Sequence, residues 1–285
     1  MLKQFNIILF TLFTTVLYLN SQAIAQVKEN SGEITTPVSI DNSEQFSIYS
    51  SNTEQEYKIY VHLPGSYARS DKIYPVVYDL DADIGFSMIS EMSTLLAFRN
   101  EMPEVIIVGV AYGAYPGQEG NNRRRDFTPT PIESITSSGG AENFFKFIRD
   151  ELIPLIDSKY RTNPEDKSIL GFSLSGLFSL YVLFNHPGLF SRYLIASPSI
   201  WWDEGVTFEY EKQYSEEHTD LQARIFISVG DAEETVESWN KLVRVLESRN
   251  YKGLKLSKMI FDNAPHITAT ILAGVRGIKA LFQDE

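Results

Sequence analysis

The chain has 285 residues, 43% of them hydrophobic and 22% charged, with no cysteine and a formal net charge of −12. That length is enough to bury one large core. The acidic balance argues against nucleic acid and anionic membrane surfaces as partners, and the missing cysteines exclude disulfides and a thiol-linked lipid anchor, so the core alone must hold the fold.

In chain order, the first segment is a processing signal. Lys3 is followed by an apolar run from Ile7 to Leu19 and then by Ala23-Ile24-Ala25, the pattern of a secretory signal peptide cleaved after Ala25. The run is shorter than the roughly 20 residues a spanning helix needs, so the expected product is periplasmic or secreted, with no membrane anchor. Cleavage removes Lys3, takes the net charge from −12 to −13 and leaves 260 residues. These read as a polar lead-in, 26–43, and one domain, 44–285.

Beyond the lead-in, strands are predicted at Gln45 to Ser50 and Tyr57 to Leu63, before a turn at Pro64-Gly65. "YPVVYDL" (Tyr74 to Leu80) and "EVIIVGVA" (Glu104 to Ala111) are nearly continuous apolar runs of strand length, as expected when both faces of a strand are covered. Between them Phe86 to Phe98 has helical spacing, as does Ala141 to Tyr160. A strand then runs to Gly171, a helix to Asn185, and strands cover Arg192 to Ala196 and Ala223 to Val229. A helix at Val236 to Ser248, a strand at Leu254 to Phe261 and a last helix from Ile267 to Phe282 complete the alternation. "FEYEKQYSEEHTD" (Phe208 to Asp220) reads as a solvated segment. The pattern is that of an α/β fold with a mostly parallel sheet and helices on both faces, opened by an antiparallel pair. In such sheets chemistry sits outside the carboxyl ends of the strands.

"SILGFSLSGLFSLY" (Ser168 to Tyr181) is a strand meeting a helix through a turn of small residues. A nucleophile elbow needs small neighbours two before and two after its serine. Ser173 has Gly171 and Ser175 there, whereas Ser175 as nucleophile would have the bulky Leu177. Ser173 is therefore the candidate, weighed against an ordinary structural turn. The N–H of Leu174 would open the following helix and donate to an oxyanion, with a second donor expected from "DLDADIGF", at the N–H of Asp83.

A serine needs a base, and the chain has four histidines. His62 sits on an early strand, His186 ends the helix after Ser173, and His218 lies in the acidic run. Only His266 follows a late strand through a short turn, which makes it the base by elimination. The orienting acid belongs on the loop after "ARIFISVG", where Asp231, Glu233 and Glu234 are available. Glu233 is the choice and Asp231 the second; the remaining carboxylates would favour the start of the next helix.

With those residues in place, the chain resembles the esterase D-type α/β-hydrolases, in the branch similar to enterobactin- and bacillibactin-type siderophore esterases. The resemblance rests on "YPVVYDLDAD", "RRRDFTPTP", "GGAENFFKFIRDELIPLIDSKYRT", "GFSLSGLFSLY", "SPSIWWDE", "SVGDAEE" and "PHITATILAGVRGIKALF", and spans Tyr57 to Phe282. It implies an α/β-hydrolase fold, a serine esterase acting on a small-molecule ester with no cofactor, and the roles of Ser173, His266 and Glu233. It also implies that Trp201 and Trp202 lie near the ligand. Phe172 stands where many relatives have His, which should alter packing under the elbow, and Ser175 where they have Gly. Two rivals stay open at this stage: an acyltransferase using the same residues, and a binding protein on a retired hydrolase scaffold.

Two further stretches carry clustered charge. Asp79, Asp81 and Asp83 open like a calcium loop, but Ile84 and Ser90 occupy the places of its Gly and Glu, so no metal is expected. Arg123, Arg124 and Arg125 read either as a loop pinned by ion pairs to Asp126 and other carboxylates, or as supplying one guanidinium, Arg124, to an anionic ligand.

Overall fold

The computed structural model describes residues 37–283; the expected signal peptide, 1–25, and the first part of the lead-in, 26–36, lie outside the described residues. From Ile40 onward, eight strands form one sheet: β1 (Ser43–Ser50), β2 (Gln55–His62), β3 (Tyr74–Asp79), β4 (Ile106–Ala111), β5 (Thr162–Phe172), β6 (Arg192–Ala196), β7 (Arg224–Gly230) and β8 (Lys255–Phe261). Their order is β1-β2-β4-β3-β5-β6-β7-β8. The β1–β2 and β2–β4 pairs are antiparallel and every other pair is parallel. This is the α/β-hydrolase arrangement, and it brings the carboxyl ends of β3 to β8 to one edge.

The helices are α1 (Ala82–Phe98), α2 (Arg123–Phe127), α3 (Ala141–Lys146), α4 (Ile153–Lys159), α5 (Leu174–Asn185), α6 (Val206–Glu217), α7 (Val236–Arg249) and α8 (His266–Phe282). Strand side chains alternate between faces, and the two cores divide accordingly. Val76, Tyr78, Ile169, Ile225 and Ile227 pack with Phe144, Phe178 and Leu242 from α3, α5 and α7. Val77, Leu170, Leu194 and Phe226 pack with Phe86, Ile89, Ala269 and Ala273 from α1 and α8. Among the described residues no helix is long and apolar enough to cross a membrane.

Three elements depart from the sequence reading. Helix α1 begins at Ala82 rather than Phe86, so "DLDAD" is a two-residue connection running straight into a helix. A π-helical stretch, Phe147–Leu152, joins α3 to α4; it lies just before Pro154, whose missing N–H and ring oppose a regular α turn there. The "FEYEKQYSEEHTD" segment is helical as far as Glu217, and the helix that holds it, α6, buries Thr207, Glu211 and Tyr214. Those positions share one helix face, but a charged residue at its centre hides the pattern. Glu211 is matched by Arg249 Nε and Nη2 at 2.8 and 2.9 Å and by the Tyr251 hydroxyl at 2.8 Å.

Asp79, the last residue of β3, lies beneath α1 and is 4% exposed. Burial, then repulsion by Asp81, pushes its carboxyl from 3.8 up to about 7, against the opposing hydrogen bond from the Asp81 backbone. Between those values the fold keeps a proton that the unfolded chain has released. Its stabilising contribution is therefore full below about pH 4 and is lost as the pH rises through 7, on the order of 4 kcal/mol in all. Asp79→Asn cannot ionise. Its unfolding free energy relative to the parent should rise by on the order of 2–3 kcal/mol between pH 5 and pH 8, measured by urea unfolding; a constant difference would mean that Asp79 is already ionised at pH 5.

Candidate active site

Ser173 follows β5 directly, where Phe172, Ala196, Ser228 and Met259 stand in register across β5 to β8. Its φ of 58° and ψ of −116° form a strained bend for a residue with a side chain. The bend is held on both sides: Ser173 N–H donates to Ala196 O, and Ser173 O accepts from the N–H groups of Leu177 and Ser199, each at 3.0 Å. Gly171 is required, since a Cβ there would fall 2.3 Å from the Ser175 carbonyl oxygen. The Ser173 hydroxyl lies 3.4 Å from that of Ser199. Among the described residues, no hydrogen bond joins it to His266.

His266 opens α8, and its Nδ1 is 2.6 Å from Glu233 Oε2. A carboxylate only accepts, so Nδ1 carries the proton and Nε2 remains the acceptor. The Glu233 side chain is 4% exposed. Its Oε1 accepts from Ser197 Oγ at 2.6 Å and from the Gly230 N–H at 2.7 Å. Burial would raise its pKa, but the hydrogen bonds from His266, Ser197 and Gly230 outweigh it and hold the carboxyl below the usual glutamate range. Asp231 does not reach His266. It accepts the Ala264 N–H at 3.1 Å and so braces the turn that delivers the imidazole. That turn sits so close to β7 that a Cβ on Gly230 would fall 1.8 Å from Ala264 O.

Asp83 and Leu174 occupy the first turns of α1 and α5, positions whose N–H groups have no intrahelical acceptor. The Asp83 carboxylate accepts the N–H groups of Tyr112 and Gly113 at 2.6 and 2.9 Å, tying α1 to the end of β4. Beside it, Arg123 grips Asp81 through Nε and Nη2 at 2.7 and 3.0 Å. The Ser175 hydroxyl donates to Asp81 and accepts the Phe172 N–H at 2.7 Å. Ser175, small but not the glycine of many relatives, thus links the elbow to the start of α1. Phe172 lies under the Arg123 guanidinium, 6.0 Å from ring centroid to Cζ.

The other arginines separate. Arg125 pairs with buried Asp126 at 2.7 Å, which also accepts the Tyr57 and Tyr112 hydroxyls. Arg124 is exposed. The adjacent tryptophans face different surroundings: Trp202 is 1% exposed and donates its Nε1–H to Thr130 at 3.2 Å, while Trp201 is 55% exposed. The remaining histidines sit elsewhere. His62 is buried against Thr94, and His186 stacks on Phe145 and meets Glu142; His218 packs beside Tyr214. The sequence reading missed Ser197, Ser199, the Arg123–Asp81 pair and the part played by Ser175. The only local signal was the density of serines between 173 and 199.

The Esterase family profile matches residues 50–255. The ferri-bacillibactin esterase BesA of Bacillus subtilis (strain 168) is 30% identical over 275 residues, covering 89% of this chain and 94% of the relative. The siderophore triacetylfusarinine C esterase of Aspergillus fumigatus is 28% identical, covering 89% of each chain. Among solved structures, the BES protein from Bacillus cereus superposes with a TM-score of 0.81 at 29% identity, over 90% of this chain and 100% of that one. By that match, those relatives and the fold, the chain belongs to the Esterase family of α/β-hydrolases and is an enzyme that hydrolyses esters of small acylated molecules.

Proposed function

We propose that the enzyme is a serine esterase working through an acyl-enzyme, with Ser173 as nucleophile, His266 as base and Glu233 as the orienting acid. The observation that carries this reading is the 2.6 Å contact of His266 Nδ1 with Glu233, at the strand edge that also holds the strained Ser173. It leaves Nε2 free to take the Ser173 proton as Oγ attacks the ester carbonyl. The N–H groups of Leu174 and Asp83 receive the negative charge developing on the carbonyl oxygen. His266 then returns the proton to the departing alkoxide, and water, deprotonated by the same imidazole, releases the acid and frees Ser173. Contacts between nucleophile and base are often long before substrate binds and shorten in the complex.

Siderophore esters, which the names of the relatives carry, are our first candidate substrates. Export, carried by the apolar run and Ala23-Ile24-Ala25, would put the enzyme outside the cytoplasm. Trp201 offers an exposed ring to the ligand, Trp202 shapes the turn behind it, and Arg124 supplies a charge for an anionic part of the substrate.

Ser173→Ala and His266→Ala should each abolish both turnover of nitrophenyl esters and labelling by a fluorophosphonate. Glu233→Gln should lower kcat by about 10²–10⁴-fold, with Asp231→Asn close to the parent; the reverse ranking would hand the acid role to Asp231. Turnover of a siderophore trilactone slower than that of simple nitrophenyl esters would remove the siderophore assignment.

Ser175→Ala takes the side-chain acceptor from the Phe172 N–H and one of two donors from Asp81 Oδ2, which keeps Arg123 Nη2, a loss of about 1–3 kcal/mol. We expect a lower Tm and slower fluorophosphonate labelling; parent-like values for both would show the bridge to be idle. Arg124→Ala should raise KM for an anionic ester roughly 3- to 10-fold and leave a neutral ester unaffected. An equal effect on both would exclude a charge contact.

A further inference from the structure

The turn after β6 reads Ser197-Pro198-Ser199, and its two hydroxyls go to opposite ends of the proposed triad. Ser197 Oγ donates to Glu233, whereas Ser199 Oγ lies 3.4 Å from Ser173 Oγ. The turn is rigid. Pro198 has a fixed φ, the Ser197 N–H donates to Ser228 O at 2.8 Å, the Ser199 N–H donates to Ser173 O at 3.0 Å, and Ser199 O accepts the Trp202 N–H at 3.1 Å. Helix α5 packs on it so closely that a Cβ on Gly176 would fall 3.1 Å from Pro198 Cα. Ser173 and Ser199 thus meet twice, backbone to backbone and hydroxyl to hydroxyl.

Ser199 is 4% exposed, and among the described residues the Ser173 hydroxyl is the one polar partner of its side chain. A buried hydroxyl calls for a partner, and each hydroxyl has one proton to give. If Ser173 gave its proton to Ser199, none would face the imidazole. With the Ser173 proton directed to His266 Nε2, only the Ser199 proton can lie between the two oxygens. The hydrogen bond therefore runs from Ser199 to Ser173 in the reacting enzyme. At 3.4 Å it is longer than the roughly 2.5–3.0 Å of an ordinary O–H···O bond and is weak at rest. A hydroxyl donating to an anionic oxygen draws in to about 2.5–2.7 Å and gains roughly twofold in strength. The contact tightens as Ser173 loses its proton.

We propose that Ser199 is a further catalytic residue, a hydrogen-bond donor that stabilises negative charge on Ser173 Oγ; the inference rests on the serine esterase reading above. In acylation Ser173 Oγ bonds to the ester carbonyl carbon, its proton passes to His266 Nε2, and Ser199 donates to Oγ without giving up its own proton. In deacylation the bond from that carbon to Oγ breaks and its electron pair returns to Oγ. The same donor faces that charge until His266 returns the proton. Leu174 and Asp83 serve the substrate's carbonyl oxygen, and Ser199 serves the enzyme's own oxygen. Because the contact is stronger in the transition state than at rest, its loss falls on kcat rather than on KM.

The test compares Ser199→Ala, Ser199→Thr and Ser199→Val with the parent, by pre-steady-state and steady-state kinetics on a nitrophenyl ester and by the rate of fluorophosphonate labelling. Thr and Val have nearly the same shape, so the difference between them isolates the hydroxyl. In Ser199→Ala and Ser199→Val the acylation rate, kcat and labelling rate should fall about 10- to 100-fold, with KM and Tm close to the parent. Ser199→Thr should recover most of the rate. Equal rates in Ser199→Thr and Ser199→Val, parent-like rates in Ser199→Ala, or a loss confined to KM would overturn the proposal. Rates that follow Tm across the variants, rather than the presence of a hydroxyl, would overturn it too, by making Ser199 structural. Failure of the serine esterase reading is a separate result, turnover or labelling that survives in Ser173→Ala. Should Ser199→Thr or Ser199→Val fail to fold, kcat, KM and Tm of Ser199→Ala against the parent still decide.

Discussion

One carboxylate joins three loops that are distant in sequence. Glu233 accepts from the end of β6 through Ser197, from the end of β7 through Gly230, and from the start of α8 through His266. Its burial makes each of these contacts costly to lose, because a desolvated charge has few other ways to be satisfied. The same contacts settle which ring nitrogen of His266 carries the proton. A structural constraint and a chemical one are here a single set of hydrogen bonds.

A second buried chain performs the matching task on the other side of Ser173. Arg123, Asp81 and Ser175 connect the loop after β4, the start of α1 and the elbow after β5. A glycine two residues after Ser173 would satisfy the steric demand of the bend but could not make this connection. The serine satisfies both, since its Cβ is accommodated and its hydroxyl is used twice. Arg123, rather than Arg124, is the inward-facing member of the arginine run. Its two bonds to Asp81 balance a charge that would otherwise be stranded beside Asp79 and Asp83.

The sheet explains why these chains meet. Parallel pairing from β3 through β8 sends every crossover over a face and every carboxyl end to the same edge. Alternation then separates the two cores, with aromatic rings concentrated under α3 and α5 and small residues on α8 allowing close approach on the other face. A cavity beside the elbow lies on the latter face, where Gly85 and Gly274 stand in place of bulkier side chains between α1 and α8. Packing and access are thus set by the same choice of small residues.

The strands and helices were largely legible in the sequence, because alternation, apolar runs and turn residues are local signals; Arg192–Ala196 was read with its observed bounds. The positions of Ser173, Glu233 and His266 beyond the ends of β5, β7 and β8 were legible too, since strand, turn and helix follow one another there in the sequence. What the sequence could not decide was which carboxylate turns inward, as Asp231 and Glu233 lie two residues apart on one loop. Only the close approach of the 262–265 turn to Gly230 placed Asp231 against the backbone and Glu233 against the imidazole. The buried Glu211 and the Ser175 bridge were hidden for the same reason. Local sequence reports on hydropathy and turns, whereas the partner of a buried polar group is chosen by chain brought near from far along the sequence.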